Sequence, residues 1–81
     1  MDAQIILKRV IEIVSFVTKT DPQKINERTS YYGDLMIDSI DFQEIVFELE
    51  KAFGISISYD EMQEMNNYIS DTVRVIKRLT D

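Results

Sequence analysis

The side chains best placed for chemistry are Asp38 and Ser39, at the start of a helical pattern in the segment DLMIDSIDFQEIVFELEKAF. Either side chain can cap a helix, because a short polar group satisfies the free backbone N–H groups of the first turn. If Asp38 is the cap, Asp41 falls at the third helical position, where reciprocal capping and the helix dipole favour a carboxylate. Ser39 then keeps a free hydroxyl that can be modified. The simpler alternative, in which Ser39 only belongs to the capping signal, stays open at this point.

The composition excludes most catalytic chemistries. The 81 residues include no Cys and no His, so a thiol nucleophile, a thiolate metal site and a Ser-His-Asp arrangement are all excluded. No base is evident that would activate Ser39 as a nucleophile. The acidic residues lack the spacing and central Gly of a calcium loop, and no Gly-rich phosphate loop is present. We therefore expect no enzyme and no metal site, and chemistry at Ser39 must come from another protein.

Negative charge is concentrated in the middle of the chain. The net charge is −6, yet residues 34–71 carry ten acids against one base, while the rest of the chain carries five acids and eight bases. Such a field repels nucleic acid and speeds encounter with basic protein surfaces. An acidic face that only maintains solubility explains the charge equally well. Because no apolar run approaches the length of a membrane span and no secretory pattern opens the chain, we expect a cytoplasmic protein without membrane insertion.

The elements that must position Asp38 and Ser39 form an all-α pattern. Three main helices and one short helix, with a long loop between the first two, predict a small four-helix bundle and a single domain over residues 1–81. Gly54 is well placed to end the central helix. The predicted helices span residues 2–18, 39–53, 60–65 and about 71–80. Asp2 is expected to cap the first helix, and Ser70 or Asp71 the last. A turn is expected at Asp21-Pro22 and an extended connector at 55–59.

Each predicted helix has an apolar face, and together these faces define one core. The expected core residues are Ile5, Ile6, Val10, Ile13, Val14 and Val17 in the first helix, Ile40, Phe42, Ile45, Val46, Leu49 and Phe53 in the central helix, Met62 and Met65 in the short helix, and Val73, Ile76 and Leu79 in the last. Ile25, Tyr31, Tyr32 and Leu35 are expected to pin the long loop to the core, and Ile55 or Ile57 to bury the connector.

This arrangement resembles the acyl carrier protein family over nearly the whole chain. The resemblance rests on Asp38-Ser39-Ile40, close to the family's Asp-Ser-Leu, at a helix start after a long loop in a short acidic chain. It implies that Ser39 carries a 4′-phosphopantetheine arm, transferred from coenzyme A by a phosphopantetheinyl transferase with Mg²⁺, and that Asp38 orients the serine and the metal in that complex. The thiol of the arm would hold acyl, aminoacyl or polyketide intermediates as a thioester.

The resemblance also implies two sets of residues around the arm. Partner enzymes with basic docking patches, whether acyl-transferring enzymes, synthases or ligases, would bind a monomeric carrier through Ile40, Asp41, Glu44, Phe47, Glu48, Glu50 and Lys51. The acyl chain would be sheltered in an interior formed by Phe42, Val46, Ile57, Met62 and Met65.

Several positions depart from the family pattern. Met36 stands where the family usually has Gly. Phe42 is bulkier than is usual at its position, so we expect a long acyl chain to fit poorly inside. Phe47 replaces a smaller residue, Lys51 interrupts an acidic run, and Asn66-Asn67 contains an insertion. These departures suggest a specialised carrier of fatty-acid or secondary-metabolite type. The alternative from another functional class is an unmodified acidic adaptor that binds a basic protein through residues 38–51.

Overall fold

The computed structural model describes residues 1–81 and consists of helices joined by irregular segments, with no strand. The all-α fold, with three main helices, one short helix and a long first connection, is confirmed. The elements are α1 (Ala3–Thr18), a single 3₁₀ turn (Pro22–Lys24), α2 (Ser39–Phe53), α3 (Tyr59–Met65) and α4 (Ile69–Thr80).

Local capping signals set the bounds of α1 and α2. The Asp2 carboxylate accepts a hydrogen bond from the backbone N–H of Gln4, as expected for the N-cap of α1. At the other end of α2, Gly54 adopts a left-handed conformation with φ +65, and its N–H donates to the Glu50 carbonyl. Glycine tolerates this conformation without the clash that a Cβ would cause, so the predicted end of α2 is confirmed.

Two helix starts differ from the prediction. α3 begins at Tyr59, because the Ser58 hydroxyl accepts from the Glu61 N–H at 3.1 Å and the Glu61 carboxylate accepts from the Ser58 N–H at 2.8 Å. α4 begins at Ile69, so the prediction that Ser70 or Asp71 caps it was wrong. Asp71 lies at the third helical position, and its carboxylate accepts the N–H of Tyr68 at 3.0 Å. An acid near a helix start serves as a cap or as its reciprocal partner, and the spacing alone does not distinguish the two.

The core lies between α1, α2 and α4 and is closed by α3 and the long loop. Most of the expected core residues are buried or half-buried, but three were wrong. Ile5 is 62% exposed because it lies one residue, about 100° around the helix, before the buried Ile6. Ile40 is 76% exposed because it lies two residues, about 200° around the helix, before the buried Phe42 and so faces away from the core. Tyr32 is also exposed at the surface. The fully buried residues that the sequence pattern missed are Ile69, Thr72 and Val75 in α4.

Tyr31 anchors the long loop. Its side chain is fully buried, its ring meets that of Phe42 edge-on at 5.1 Å between centroids, and its hydroxyl lies 2.6 Å from Thr72 Oγ1. Because the Thr72 hydroxyl donates to the Met65 carbonyl at 2.8 Å, the Tyr31 hydroxyl is the donor to Thr72. Backbone hydrogen bonds from Tyr31 N–H to the Asn67 carbonyl and from Ile69 N–H to the Thr29 carbonyl complete the attachment. The loop that leads to Ser39 is therefore fixed to α2, α3 and α4.

Candidate functional site

Ser39 is the first residue of α2, and its hydroxyl is free. The Asp38 carboxylate accepts the N–H of Asp41 at 2.8 Å, and the Asp41 carboxylate accepts the N–H of Asp38 at 3.3 Å. The two acids thus satisfy the helix start between them, and the predicted capping role of Asp38 is confirmed. Ser39 is exposed and its side chain makes no hydrogen bond, so the alternative in which Ser39 serves as the cap was wrong.

The backbone just before the site has an unusual conformation at Met36. This residue has φ +54, in the left-handed region that side chains with a Cβ disfavour, and its side chain is 82% exposed. It stands where the resemblance to acyl carrier proteins places a Gly. The chain therefore keeps the left-handed turn without the residue type best suited to it.

An open groove between α2 and α3 begins at Ser39. Its inner hollow, of about 210 Å³, contains Ser39 itself in its lining, and its outer hollow, of about 460 Å³, extends along α2 as far as Glu50. Gln43, Tyr59 and Met62 line both hollows, which makes the groove continuous. The inner hollow is completed by Tyr32, Phe42, Gln63 and Asn66, and the outer hollow by Val46, Phe47, Glu50 and Ile57.

Four of the five residues expected to shelter an acyl chain line this groove: Phe42, Val46, Ile57 and Met62. Met65 does not, because it is fully buried in the core. Phe42 is only 3% exposed, and its ring is packed between those of Tyr31 and Tyr32, at 5.1 and 6.5 Å. The Phe42 ring therefore forms the floor of the inner hollow and fills the space beneath it.

The residues expected to dock partner enzymes fall into two groups. Ile40, Glu44 and Phe47 are exposed, and none of them is engaged in an ion pair or a side-chain hydrogen bond. The others also have contacts within the protein: Asp41 with the Asp38 N–H, Glu48 with Lys51 at 3.1 Å, Glu50 with the Ile57 N–H at 2.8 Å, and Lys51 with the Phe47 ring at 4.8 Å. Glu50 thus holds the connector before α3 in place.

The acidic character of residues 34–71 is retained in the folded protein. Of its ten acids, only Glu48, Glu64 and Asp71 form ion pairs, with Lys51, Arg78 and Arg74. The remaining seven have no cationic partner: Asp34, Asp38, Asp41, Glu44, Glu50, Asp60 and Glu61. Several of these carboxylates accept hydrogen bonds from backbone N–H groups. Such a bond fixes the position of the carboxylate but does not neutralise its negative charge. The surface around Ser39 is therefore negative.

Sequence analysis missed four groove residues: Gln43, Tyr59, Gln63 and Asn66. A signal existed for Gln43, which lies four residues after Ser39 on the same face of α2. The other three belong to α3 and the residue that follows it, so their proximity to Ser39 depends on how two helices pack. Neither a cluster of acidic side chains arranged to hold a metal ion nor a helix long and apolar enough to cross a membrane occurs in the structure.

The fold and the site define a small helical carrier domain with an exposed serine, free of hydrogen bonds, at the head of an acidic helix. The family model described as the phosphopantetheine attachment site matches residues 8–76. The chain belongs to the acyl carrier protein family, and its prosthetic group is 4′-phosphopantetheine.

Curated relatives place the chain in this family over most of its length. It is 36% identical over 75 residues to the acyl carrier protein of Caulobacter vibrioides, covering 93% of this chain and 95% of the relative. It is 31% identical to that of Lactobacillus acidophilus, covering 95% of each chain. The mitochondrial acyl carrier protein 2 of Arabidopsis thaliana is 31% identical over 83% of this chain and 53% of its own, so the chain spans about half the length of that relative.

A solved structure supports the fold. The apo doublet acyl carrier protein from prodigiosin biosynthesis has a TM-score of 0.80 and 21% sequence identity, with 94% of this chain and 36% of that chain covered.

Proposed function

We propose that the protein carries acyl, aminoacyl or polyketide intermediates as a thioester on a 4′-phosphopantetheine group attached to Ser39. The observation that carries the proposal is the free, exposed Ser39 hydroxyl at the first position of α2, beside a groove that can receive the group. When bound, the group supplies a thiol that forms the thioester. We further propose that the chain itself is a carrier without catalytic activity, and that it acts as a monomer.

The residues around Ser39 fit such a group. A phosphodiester on Ser39 would lie at the N-terminus of α2, where the backbone N–H groups and the helix dipole favour an anion. The carboxylate of Asp38 would orient the serine and a Mg²⁺ ion in the transferase complex, where the metal offsets the repulsion between this carboxylate and the phosphates of coenzyme A.

Partner enzymes would bind the exposed face of α2. Ile40 and Phe47 supply apolar contact area, and Glu44 supplies an unpaired charge for the basic docking patch of a transferase, synthase or ligase. The departures at Phe42 and Met36 support a specialised carrier of fatty-acid or secondary-metabolite type.

The attachment residue is tested by loading the apo protein with a broad-specificity phosphopantetheinyl transferase, coenzyme A and Mg²⁺. We expect the intact mass to rise by one phosphopantetheine in the wild type and to stay unchanged in Ser39→Ala. Ser70→Ala is the matched control, because Ser70 is also exposed in the first turn of a helix. A wild-type protein that gains no mass would refute the carrier proposal and leave the acidic adaptor, which needs no modification.

A further inference from the structure

We propose that the outward face of α1 binds the outward face of α2 in a second copy of this chain, so that the protein self-associates weakly and reversibly. The α1 face consists of Ile5, Lys8, Arg9, Glu12, Phe16 and Lys19. The α2 face consists of Ile40, Glu44, Phe47 and Lys51. Self-association needs only the folded chain, so it does not depend on modification of Ser39.

The α1 face combines exposed apolar side chains with positive charge. Phe16 is 78% exposed, and Ile5 lies on the same side of the helix. Lys8, Arg9 and Lys19 form no ion pair within the protein, and Glu12 is the only acid of the face. A surface that offers apolar area together with negative charge is therefore complementary to the α1 face.

The α2 face of another copy has both properties. Ile40 and Phe47 are large apolar residues at the surface, with Phe47 56% exposed. Glu44 lies between them without a cationic partner, and Asp41 and Glu48 flank the face. The chain thus carries two exposed helix faces of opposite charge, each with two large apolar side chains.

The two faces also match in spacing. Intervals of four, three and four positions separate Ile5, Arg9, Glu12 and Phe16 in α1, and the same intervals separate Ile40, Glu44, Phe47 and Lys51 in α2. At 3.6 residues per turn, these intervals keep the four side chains within a strip about 60° wide on each helix. Two such strips can lie against each other over about three helical turns.

A parallel arrangement of the two helices makes these strips complementary. The level pairs are then Ile5 with Ile40, Arg9 with Glu44, Glu12 with Phe47 and Phe16 with Lys51. The first pair is apolar, the second joins opposite charges, and the fourth places a cation beside an aromatic ring. In the third pair, the Glu12 carboxylate lies within one turn of Lys51. The antiparallel arrangement is worse, because it makes Glu12 level with Glu44.

The net charge of the protein limits the strength and the choice of partner. A net charge of −6 repels copies at long range, so the association should be weak and appear only at high protein concentration. The same charge repels an anionic lipid surface, which has no acidic and apolar helix face in register with α1 to offset the repulsion.

Self-association would compete with partner enzymes. Ile40, Glu44 and Phe47 are also the exposed residues proposed to contact those enzymes, and Ile40 directly follows Ser39. A bound copy and a partner enzyme therefore exclude each other from the α2 face. The monomer remains the form that partner enzymes bind, and its fraction falls as the protein concentration rises.

The test is a dilution series of the apo protein from about 1 mM to about 0.05 mM, followed by sedimentation equilibrium and by ¹⁵N NMR. At the upper concentration we expect an average mass above that of one chain, and amide shifts that move in residues 5–19 and 40–51. Arg9→Glu and Glu44→Arg should each reduce these shift changes by about threefold or more, because each substitution places like charges opposite one another.

An equimolar mixture of Arg9→Glu and Glu44→Arg should restore the association. The carboxylate introduced on α1 of one variant then meets the guanidinium introduced on α2 of the other. The matched controls are Arg28→Glu and Glu27→Arg, which give the same net charges of −8 and −4 at exposed positions of the long loop. Each control alone should associate as the wild type does.

Wild-type shifts and mass that do not change with concentration would overturn the proposal and leave the α1 face to an acidic protein of another kind. Association retained by Arg9→Glu or Glu44→Arg alone, or a mixture that does not restore it, would overturn it as well. Because the substituted side chains are exposed, both variants should fold. Phe16→Ser removes the most exposed ring of the α1 face and should also abolish association, so it carries the test if a charge variant does not fold.

Discussion

At the scale of single residues, Asp38 and Asp41 cap the start of α2, and Ser39 between them takes no part in the capping. Because the two acids bind each other's backbone N–H groups, the hydroxyl between them has no structural task and stays available. The same acid that completes the helix start is also the one proposed to orient a metal during loading. Stability and modification therefore place different demands on Asp38, and substitutions can separate them.

The separating substitution is Asp38→Asn. Asn is as good an N-cap as Asp, so we expect the melting temperature to change little, whereas the cap lost in Asp38→Ala costs about 1 kcal/mol. Loading by the transferase should fall at least tenfold in both variants, because neither can bring a carboxylate to the metal. Thermal unfolding and initial loading rates measure the two effects, and loading of Asp38→Asn at the wild-type rate would limit Asp38 to a capping role.

Substitutions at Met36 and Gly54 should change the free energy of unfolding in opposite directions. Both adopt left-handed conformations, and Met36 is exposed, so Met36→Gly removes backbone strain without losing packing. We expect it to raise the free energy of unfolding by about 0.5–1 kcal/mol, a few degrees in melting temperature, and Gly54→Ala to lower it by about 1 kcal/mol. Apart from its own residue and its two chain neighbours, no heavy atom would lie within 4 Å of a Cβ at Gly54, so that loss comes from the backbone conformation. Met36→Ala is the control, because it keeps the Cβ and should leave stability unchanged.

At the scale of elements, the hydrogen bonds from Tyr31 through Thr72 to Met65 join the long loop to α4 and α3. The ring of Tyr31 also supports Phe42, which forms the floor of the groove. Burial raises the pKa of the Tyr31 hydroxyl well above its usual range; the hydrogen bond with Thr72 partly offsets this, and the charge of Asp71 adds to it. The buried hydroxyl therefore stays neutral at a pH where tyrosine in the unfolded chain ionises.

The substitution Tyr31→Phe tests the neutral buried hydroxyl, because the variant should be less stable than the wild type at neutral pH and more stable at high pH. At neutral pH the variant loses one buried hydrogen bond, at a cost of about 1 kcal/mol. Above pH about 10, the ordinary pKa of tyrosine, the unfolded wild type releases a proton that the folded state retains, so wild-type stability falls by up to about 1.4 kcal/mol per pH unit. Urea unfolding from pH 7 to 12 should therefore show the variant overtaking the wild type near about pH 11. A constant difference across this range would contradict the neutral buried hydroxyl.

The sequence predicted the elements that carry local signals and missed what depends on packing between them. Asp38, Asp41 and Gly54 mark both ends of α2 within a few residues of chain, so α2 and the free Ser39 hydroxyl were predictable. The start of α4 was not, because Asp71 suits two positions in a helix start equally well. The groove joins α2 to residues of α3 about twenty positions later, and no local pattern determines how two helices face each other.

At the scale of the whole molecule, charge is divided between two regions. Residues 34–71 include seven acids without a cationic partner, while eight of the nine basic residues lie outside this range. The protein therefore has an uneven charge distribution as well as a net negative charge. A basic surface that approaches it is attracted to the negative face that holds Ser39. The position of each acid should matter more for loading than the net charge.

Two charge reversals with the same net charge test this point. Glu44→Lys on α2 and Glu12→Lys on α1 both change the net charge from −6 to −4, and both side chains are exposed. Because exposed charges contribute little to stability, both variants should fold as the wild type does. We expect the transferase to load Glu44→Lys at least fivefold more slowly at low salt and Glu12→Lys at nearly the wild-type rate, with the difference shrinking as salt screens the docking face. Equal slowing in the two variants would show that loading responds to net charge, and the α2 face would lose its special role in recognition.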